Sequence, residues 1–200
     1  DAIGLIQTAE GAMTETHSML QRMKTLTTQA ANGTYTKTAR DNIQAEVDAL
    51  NKEITRIAST TKFNGETPLS PAKKGQNLTF FIGATADATN AMTVGQLTMT
   101  AAALTIAQIK VDTTTNAFKA MASVDAAIEK VSTYRAALGA AQNRLEHTVN
   151  NLKVTSENIT SAESRIRDTD MADEITAYTK NNILLQAAQS MLSQSNAMPQ

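Results

Sequence analysis

Apolar positions follow a helical period along most of the chain. From residue 2 to about 31, Leu5, Ala9, Ala12, Thr16, Met19, Met23, Leu26 and Ala30 alternate at spacings of four and three, and Ile6, Met13 and Leu20 add a second row seven apart. That is a heptad seam widened into a broad apolar face, and it predicts an amphipathic helix. Asn32-Gly33 is expected to close this helix through a left-handed residue. A second helix is predicted over 38–60, with Ile43, Val47, Leu50, Ile54 and Ile57 on its seam. So short a loop makes the two helices antiparallel neighbours. Asn64-Gly65, Pro68 and Pro71 then stop helical structure, because proline lacks the N–H donor and clashes with the preceding turn.

Between residues 76 and 97 the period changes. Leu78-Thr79-Phe80-Phe81-Ile82 is β-branched and aromatic, residues 83–90 are rich in turn formers, and residues 92–97 partly alternate. The pattern predicts a β-hairpin. Two strands are marginal alone, so the hairpin is expected to lie on the helices or to pair with a further short strand near 106–111. Residues 98–118 are rich in Thr and Ala and show no dominant period.

The strongest pattern follows. Val131, Leu138, Leu145, Leu152, Ile159 and Ile166 recur at seven-residue intervals, accompanied by the mostly small Ala127, Tyr134, Ala141, Thr148, Thr155 and Ala162. Large opposite small lets helices approach closely. A helix over 119–166 would be roughly 70 Å long at the α-helical rise. Asp168-Thr169-Asp170 breaks the pattern and offers carboxylates to cap a last helix. After Lys180 that helix carries no charge, and Ile183, Leu184, Leu185, Ala188, Met191 and Leu192 form an apolar face that nothing else in the chain is patterned to cover. Such a face requires a partner or a missing segment. The predicted class is mainly α: an elongated antiparallel helical bundle or coiled-coil rod with a small β-hairpin region. Its parts are helices over 1–65, a hairpin and short variable segment over 66–118, the long helix over 119–167, and the start of a further helix over 168–200.

Composition narrows the function. Aromatic residues are 4% of the 200, Trp is absent, and the apolar content comes largely from Ala, Leu, Ile, Val and nine Met, which suit thin seams between helices. A net charge of -1 argues against binding by phosphate neutralisation, so nucleic acid is not an expected partner. No apolar run has the length of a membrane span, and no basic-then-apolar leader opens the chain; Asp1-Ala2-Ile3 begins in mid-pattern, as in a trimmed chain. The chain has no cysteine, which removes disulfides and thiol chemistry.

Catalytic constellations are not patterned. His17 and His147 each stand alone on a heptad helix without a second His one turn away. Glu10, Glu15, Glu46, Glu53, Glu157 and Glu163 sit at solvated helix positions near basic groups or amides and read as ion pairs. Glycines are scattered singly, and no Gly-x-Ser-x-Gly elbow exists. A structural protein, with no enzyme activity, cofactor or metal, is expected.

Several blocks carry a family. Residues 5–12 (Leu-Ile-Gln-Thr-Ala-Glu-Gly-Ala), Leu20-Gln21-Arg22, Gln29-Ala30, Asn32-Gly33, Ile43-Gln44-Ala45-Glu46 and Phe63-Asn64-Gly65 resemble, in order and spacing, the N-terminal conserved region of bacterial flagellin. Residues 138–145 (Leu-Gly-Ala-Ala-Gln-Asn-Arg-Leu), Asn151-Leu152, residues 162–166, residues 168–172 and Gln186-Ala187-Ala188 resemble its C-terminal region. The resemblance fits flagellin better than a hook–filament junction protein. An enzyme carried on a flagellin scaffold is the remaining alternative, and residues 66–118, with no His or Cys, do not supply a metalloprotease site.

The resemblance implies the rod domain called D1, a role as filament subunit for motility, an extracellular location in the flagellum, and other flagellin subunits as partners. Flagellins begin with a further helix that pairs with the C-terminal one, so this chain is expected to assemble only when that helix is supplied. Its tail resembles the segment covered by the flagellin export chaperone before secretion. Similarity also implies docking of the flagellin-sensing Toll-like receptor on Gln21, Arg22, Leu26, Gln29 and Glu46, with Arg22 as the anchor. Two positions depart from the family motif there: Thr25 replaces an acidic residue and Lys24 an arginine.

Overall fold

The computed structural model describes residues 1–70, 77–83, 87–96 and 98–197. The expectations drawn on residues 71–76, residues 84–86, Leu97 and residues 198–200 lie outside the described residues. The elements in chain order are α1 (Ala2–Ala31), α2 (Lys37–Thr60), β1 (Asn77–Phe81), β2 (Ala91–Gly95), α3 (Thr114–Arg167) and α4 (Met171–Ala197), with one 3₁₀ turn at Ala88–Asn90. The chain is thus mainly α, with one two-stranded antiparallel sheet. It forms two compact units, Asp1–Val149 and Asn150–Gln200.

The first unit has a continuous core. On α1 the second row is the deeper one: Ile6, Met13 and Leu20 are fully buried beside Ala9, Thr16, Met23, Leu26 and Ala30, whereas Ala12 and Met19 are half-buried. On α2 the buried line is Ile43, Val47, Asn51, Ile54 and Ala58. Leu50 and Ile57, expected on the seam, are only half-buried. A straight helix drifts relative to a strict heptad, which carries the contact line across the surface. From α3 come Ala117, Ala120, Val124, Ala127, Val131, Tyr134, Leu138, Ala141 and Leu145. Three ion pairs tie the helices together: Arg22–Glu46 from α1 to α2 at 2.7 Å, and Lys24–Asp125 at 2.7 Å and Glu10–Arg135 at 2.6 Å from α1 to α3. Moving down α1 from Lys24 to Glu10 moves up α3 from Asp125 to Arg135, so these two helices are antiparallel.

The starts of α2, α3 and α4 are satisfied by side chains, which partner otherwise orphan terminal amides. Thr36 Oγ1 accepts from the Ala39 amide at 3.3 Å, Thr113 Oγ1 from that of Asn116 at 3.2 Å, and Asp170 Oδ1 from that of Ala172 at 2.9 Å. The exit of α1 corrects one expectation. Asn32 is extended (φ -72°, ψ 128°), and the only left-handed residues described are Asn64, Thr105 and Gly65. The guanidinium of Arg40 does the capping instead, donating to Ala30 O at 2.9 Å and Asn32 O at 3.1 Å. Asn64 (φ 51°) and Gly65 (φ 87°) do use the left-handed region. They form a tight turn closed by Phe63 N–H to Glu66 O at 2.9 Å and Glu66 N–H to Phe63 O at 3.0 Å, the geometry that favours Asn-Gly between paired strands.

The hairpin pairs Asn77 with Gly95 through Phe81 with Ala91. Alternation turns Met92 and Val94 into the core with Leu78 and Phe80 packed against it, and leaves Phe81 exposed. No strand forms over 106–111. That segment satisfies its backbone through α2: Gln44 donates to Ile109 O at 3.1 Å and accepts from the Val111 amide at 2.8 Å, and Asn51 donates to Ile106 O at 2.9 Å. With those groups already partnered, the segment does not extend the sheet, while Met99, Ala101, Leu104, Ile106, Ile109 and Val111 all enter the core.

This segment contains one strained residue. The Ile106 amide reaches Ala101 O at 2.9 Å and the Thr105 amide reaches Ala102 O at 3.1 Å, the paired bonds that end a helical turn through a left-handed residue. Thr105 supplies that residue at φ 64°, which a β-branched side chain disfavours. Thr105→Gly is therefore expected to stabilise the first unit by about 1 kcal/mol. A rise in the urea midpoint checks this, and a fall counts against the strain.

In the second unit every described residue is exposed. It holds the C-terminal part of α3 and all of α4.

Candidate interaction surfaces

The seam of α3 divides into two parts. Val131, Leu138 and Leu145 are buried at 0%, 1% and 4% exposure, whereas Leu152, Ile159 and Ile166 stand at 43%, 62% and 84%. Of the six seam residues, the first three are covered within the chain and the last three are exposed. The covering helices α1 and α2 belong to the first unit, and among the described residues of the second none is buried. The sequence period reports that a face is apolar, not that its cover lies in the same chain.

The face of α4 is open throughout. Ile183, Leu184, Leu185, Met191 and Leu192 are exposed, and so are Ala188 and the unforeseen Met171, Ile175 and Tyr178. Residues 171, 175 and 178 recur at helical spacing, a signal present in the sequence but masked by the acidic residues between them. Asp173 and Glu174 lie in the first turn, where carboxylates complement the positive end of the helix.

The third surface lies on α1 and α2. Arg22 Nε donates to Glu46 Oε1 at 2.7 Å, joining two residues 24 apart in sequence. The hydrogen bond to Glu46 and then its negative charge raise the Arg22 pKa above the ordinary guanidinium value. Gln21, Arg22 and Gln29 are exposed and Glu46 is half-exposed. Leu26 departs from the expected patch: it is 2% exposed and belongs to the core, so it cannot present a side chain to an incoming partner. The helical period had already placed it on the seam. The histidines stand apart, His147 exposed and His17 half-buried with its Nε2 at 2.8 Å from Gln21 Nε2. Of the singled-out carboxylates, Glu10, Glu46, Glu53 and Glu163 form ion pairs with Arg135, Arg22, Arg56 and Arg167. The hydrogen bond from Arg56 holds the Glu53 carboxyl below its ordinary range.

A unit whose core is closed by its own three helices, followed by helical segments with every apolar side chain exposed, defines a helix-packing structural protein with surfaces left for association. The chain belongs to the bacterial flagellin family. Residues 1–74 match the bacterial flagellin N-terminal helical region and residues 121–200 the bacterial flagellin C-terminal helical region. It is 47% identical to flagellin of Bacillus subtilis, over all of this chain and 76% of that one. It is 42% identical to the flagellar filament 33 kDa core protein of Treponema phagedenis, over all of this chain and 74% of that one. Among solved structures, Bacillus cereus flagellin superposes with a TM-score of 0.64 at 31% identity, covering 81% of this chain and 92% of that one.

Proposed function

We infer that this chain is a subunit that polymerises into the bacterial flagellar filament, and that the exposed apolar residues of α3 beyond Val149 and of α4 are where neighbouring helices pack. Membership of the flagellin family, at both helical regions, carries this reading. The exposed rows supply its physical basis. Fifteen large apolar residues stand exposed in the described chain, and twelve of them, from Leu152 to Leu192, lie in the second unit. Burial of such side chains contributes roughly 1.5–3 kcal/mol each, ample to drive association. Before polymerisation the same α4 face suits the flagellin export chaperone, in keeping with secretion to the extracellular filament.

The test adds an upstream flagellin helix to the N-terminus and compares the extended and 200-residue chains by light scattering and electron microscopy. Filaments are expected from the extended chain. Filaments from neither chain would sink the subunit reading.

A second reading, as ligand of the flagellin-sensing Toll-like receptor, is favoured by the Arg22–Glu46 pair, an exposed guanidinium braced by a carboxylate from the adjacent helix. Its patch is Gln21, Arg22, Gln29 and Glu46. An arginine of this kind is a common binding anchor. Arg22→Ala is expected to lower receptor activation at least about tenfold, a loss of about 1.4 kcal/mol, with helicity by circular dichroism unchanged. Equal potency of variant and parent removes Arg22 from the role.

A further inference from the structure

With no cysteine in the chain, methionine is its only sulfur, and the methionines differ sharply in access. Met13, Met23, Met92 and Met99 are 2% exposed or less, whereas Met171 is 63% and Met191 73% exposed. Among the described residues these two are the exposed methionines, and they occupy different faces of α4. At about 100° per residue, Met191 falls about 80° from Ile183 and about 20° from Leu184, within an arc that also holds Ala187 and Ala188. Met171 lies about 160° further round, with Ile175 and Tyr178. Among the described residues, Met191 is thus the one methionine in the middle of the uncharged face.

We propose that Met191 is an oxidation switch on assembly. This rests on the reading of the α4 face as a packing surface. A peroxide is the oxidant: the thioether sulfur attacks one peroxide oxygen, the S–O bond forms as the O–O bond breaks, and the departing oxygen takes up a proton and leaves as water or an alcohol. Sulfur loses two electrons and the peroxide gains them. The product is a polar sulfoxide in the centre of an apolar face, and covering it without a hydrogen-bond donor is unfavourable. Oxidation therefore blocks packing while α4 is free, and packing shields the sulfur once α4 is covered.

The experiment treats the 200-residue chain with dilute hydrogen peroxide and follows each methionine by peptide-mapping mass spectrometry. Met191 and Met171 are expected to gain oxygen about tenfold faster than Met13, Met23, Met92 and Met99. In the chain extended by the upstream helix, prior oxidation is expected to cut polymer yield about tenfold. Methionine sulfoxide reductase restores the yield, Met191→Leu resists the loss, and Met171→Leu does not. Equal oxidation of Met191 and Met92 overturns the proposal. So does undiminished polymer from chain fully oxidised at Met191, which leaves the subunit reading intact. No polymer even from unoxidised extended chain defeats the subunit reading and the switch together.

Discussion

Leu138→Ala is expected to destabilise the first unit by about 3 kcal/mol, while Ile159→Ala, three heptads further along the same row, is expected to change stability by less than about 0.5 kcal/mol. The two residues share one sequence pattern and differ in cover. Leu138 is 1% exposed inside the three-helix core, and Ile159 is 62% exposed. Truncating the first removes buried methyl groups and leaves a cavity in the core. Truncating the second removes surface already in water. Urea unfolding followed by circular dichroism measures both, and equal losses would show that the α3 row is covered along its whole length. In a polymer the order is expected to invert, with Ile159→Ala lowering filament yield at concentrations where Leu138→Ala, if folded, still assembles.

Gln44→Ala is the second large effect, at about 2 kcal/mol. The Gln44 side chain acts as a piece of backbone, accepting from the Val111 amide and donating to Ile109 O in the manner of a neighbouring strand. Val111 is fully buried and Ile109 is 8% exposed. Alanine would leave a part-buried donor and acceptor without partners, and a group shielded from water and left unpartnered is costly. Gln44→Glu keeps an acceptor for Val111 and loses the donor to Ile109, so it should fall between the two. Amide exchange reads the effect at its source: the Val111 amide should lose protection in Gln44→Ala before the amides of α1 do. Unchanged protection at Val111 would refute the strand-mimic role.

These two effects also mark what the sequence made legible. The helices were readable because burying a helix face imposes a period near 3.6, and α1 and α2 match their predicted extents to within a residue. The hairpin was readable from alternation around Phe80 and Met92. Residues 98–113 were not, because their partners are Gln44, Asn51 and Thr55 on a helix some fifty residues away and more. A side chain that satisfies a distant backbone leaves no local trace. The start of α3 at Thr114 was likewise hidden, since its first turns carry Ala117 and Ala120, small residues with weak periodic signal. At the surfaces, period placed Leu26 in the core where family likeness placed it outside, and its 2% exposure sides with the period. The Arg22–Glu46 contact rests on both: likeness picked the residues, and antiparallel packing of α1 on α2 brings them together.

The ion pairs on α1 have a consequence for the order in which the fold is made. Arg22 and Glu46 are 24 residues apart in the chain, whereas Glu10 and Arg135 are 125 apart. Closing the longer loop costs about 1.5 kcal/mol more entropy than closing the shorter one. The helical hairpin of α1 and α2 can therefore form while α3 is still searching, and α3 docks onto a surface already waiting. Contacts made late across a long loop govern how fast small proteins reach their native state. For this chain the return of α3 is therefore expected to be the slower step, with the hairpin as the template it returns to.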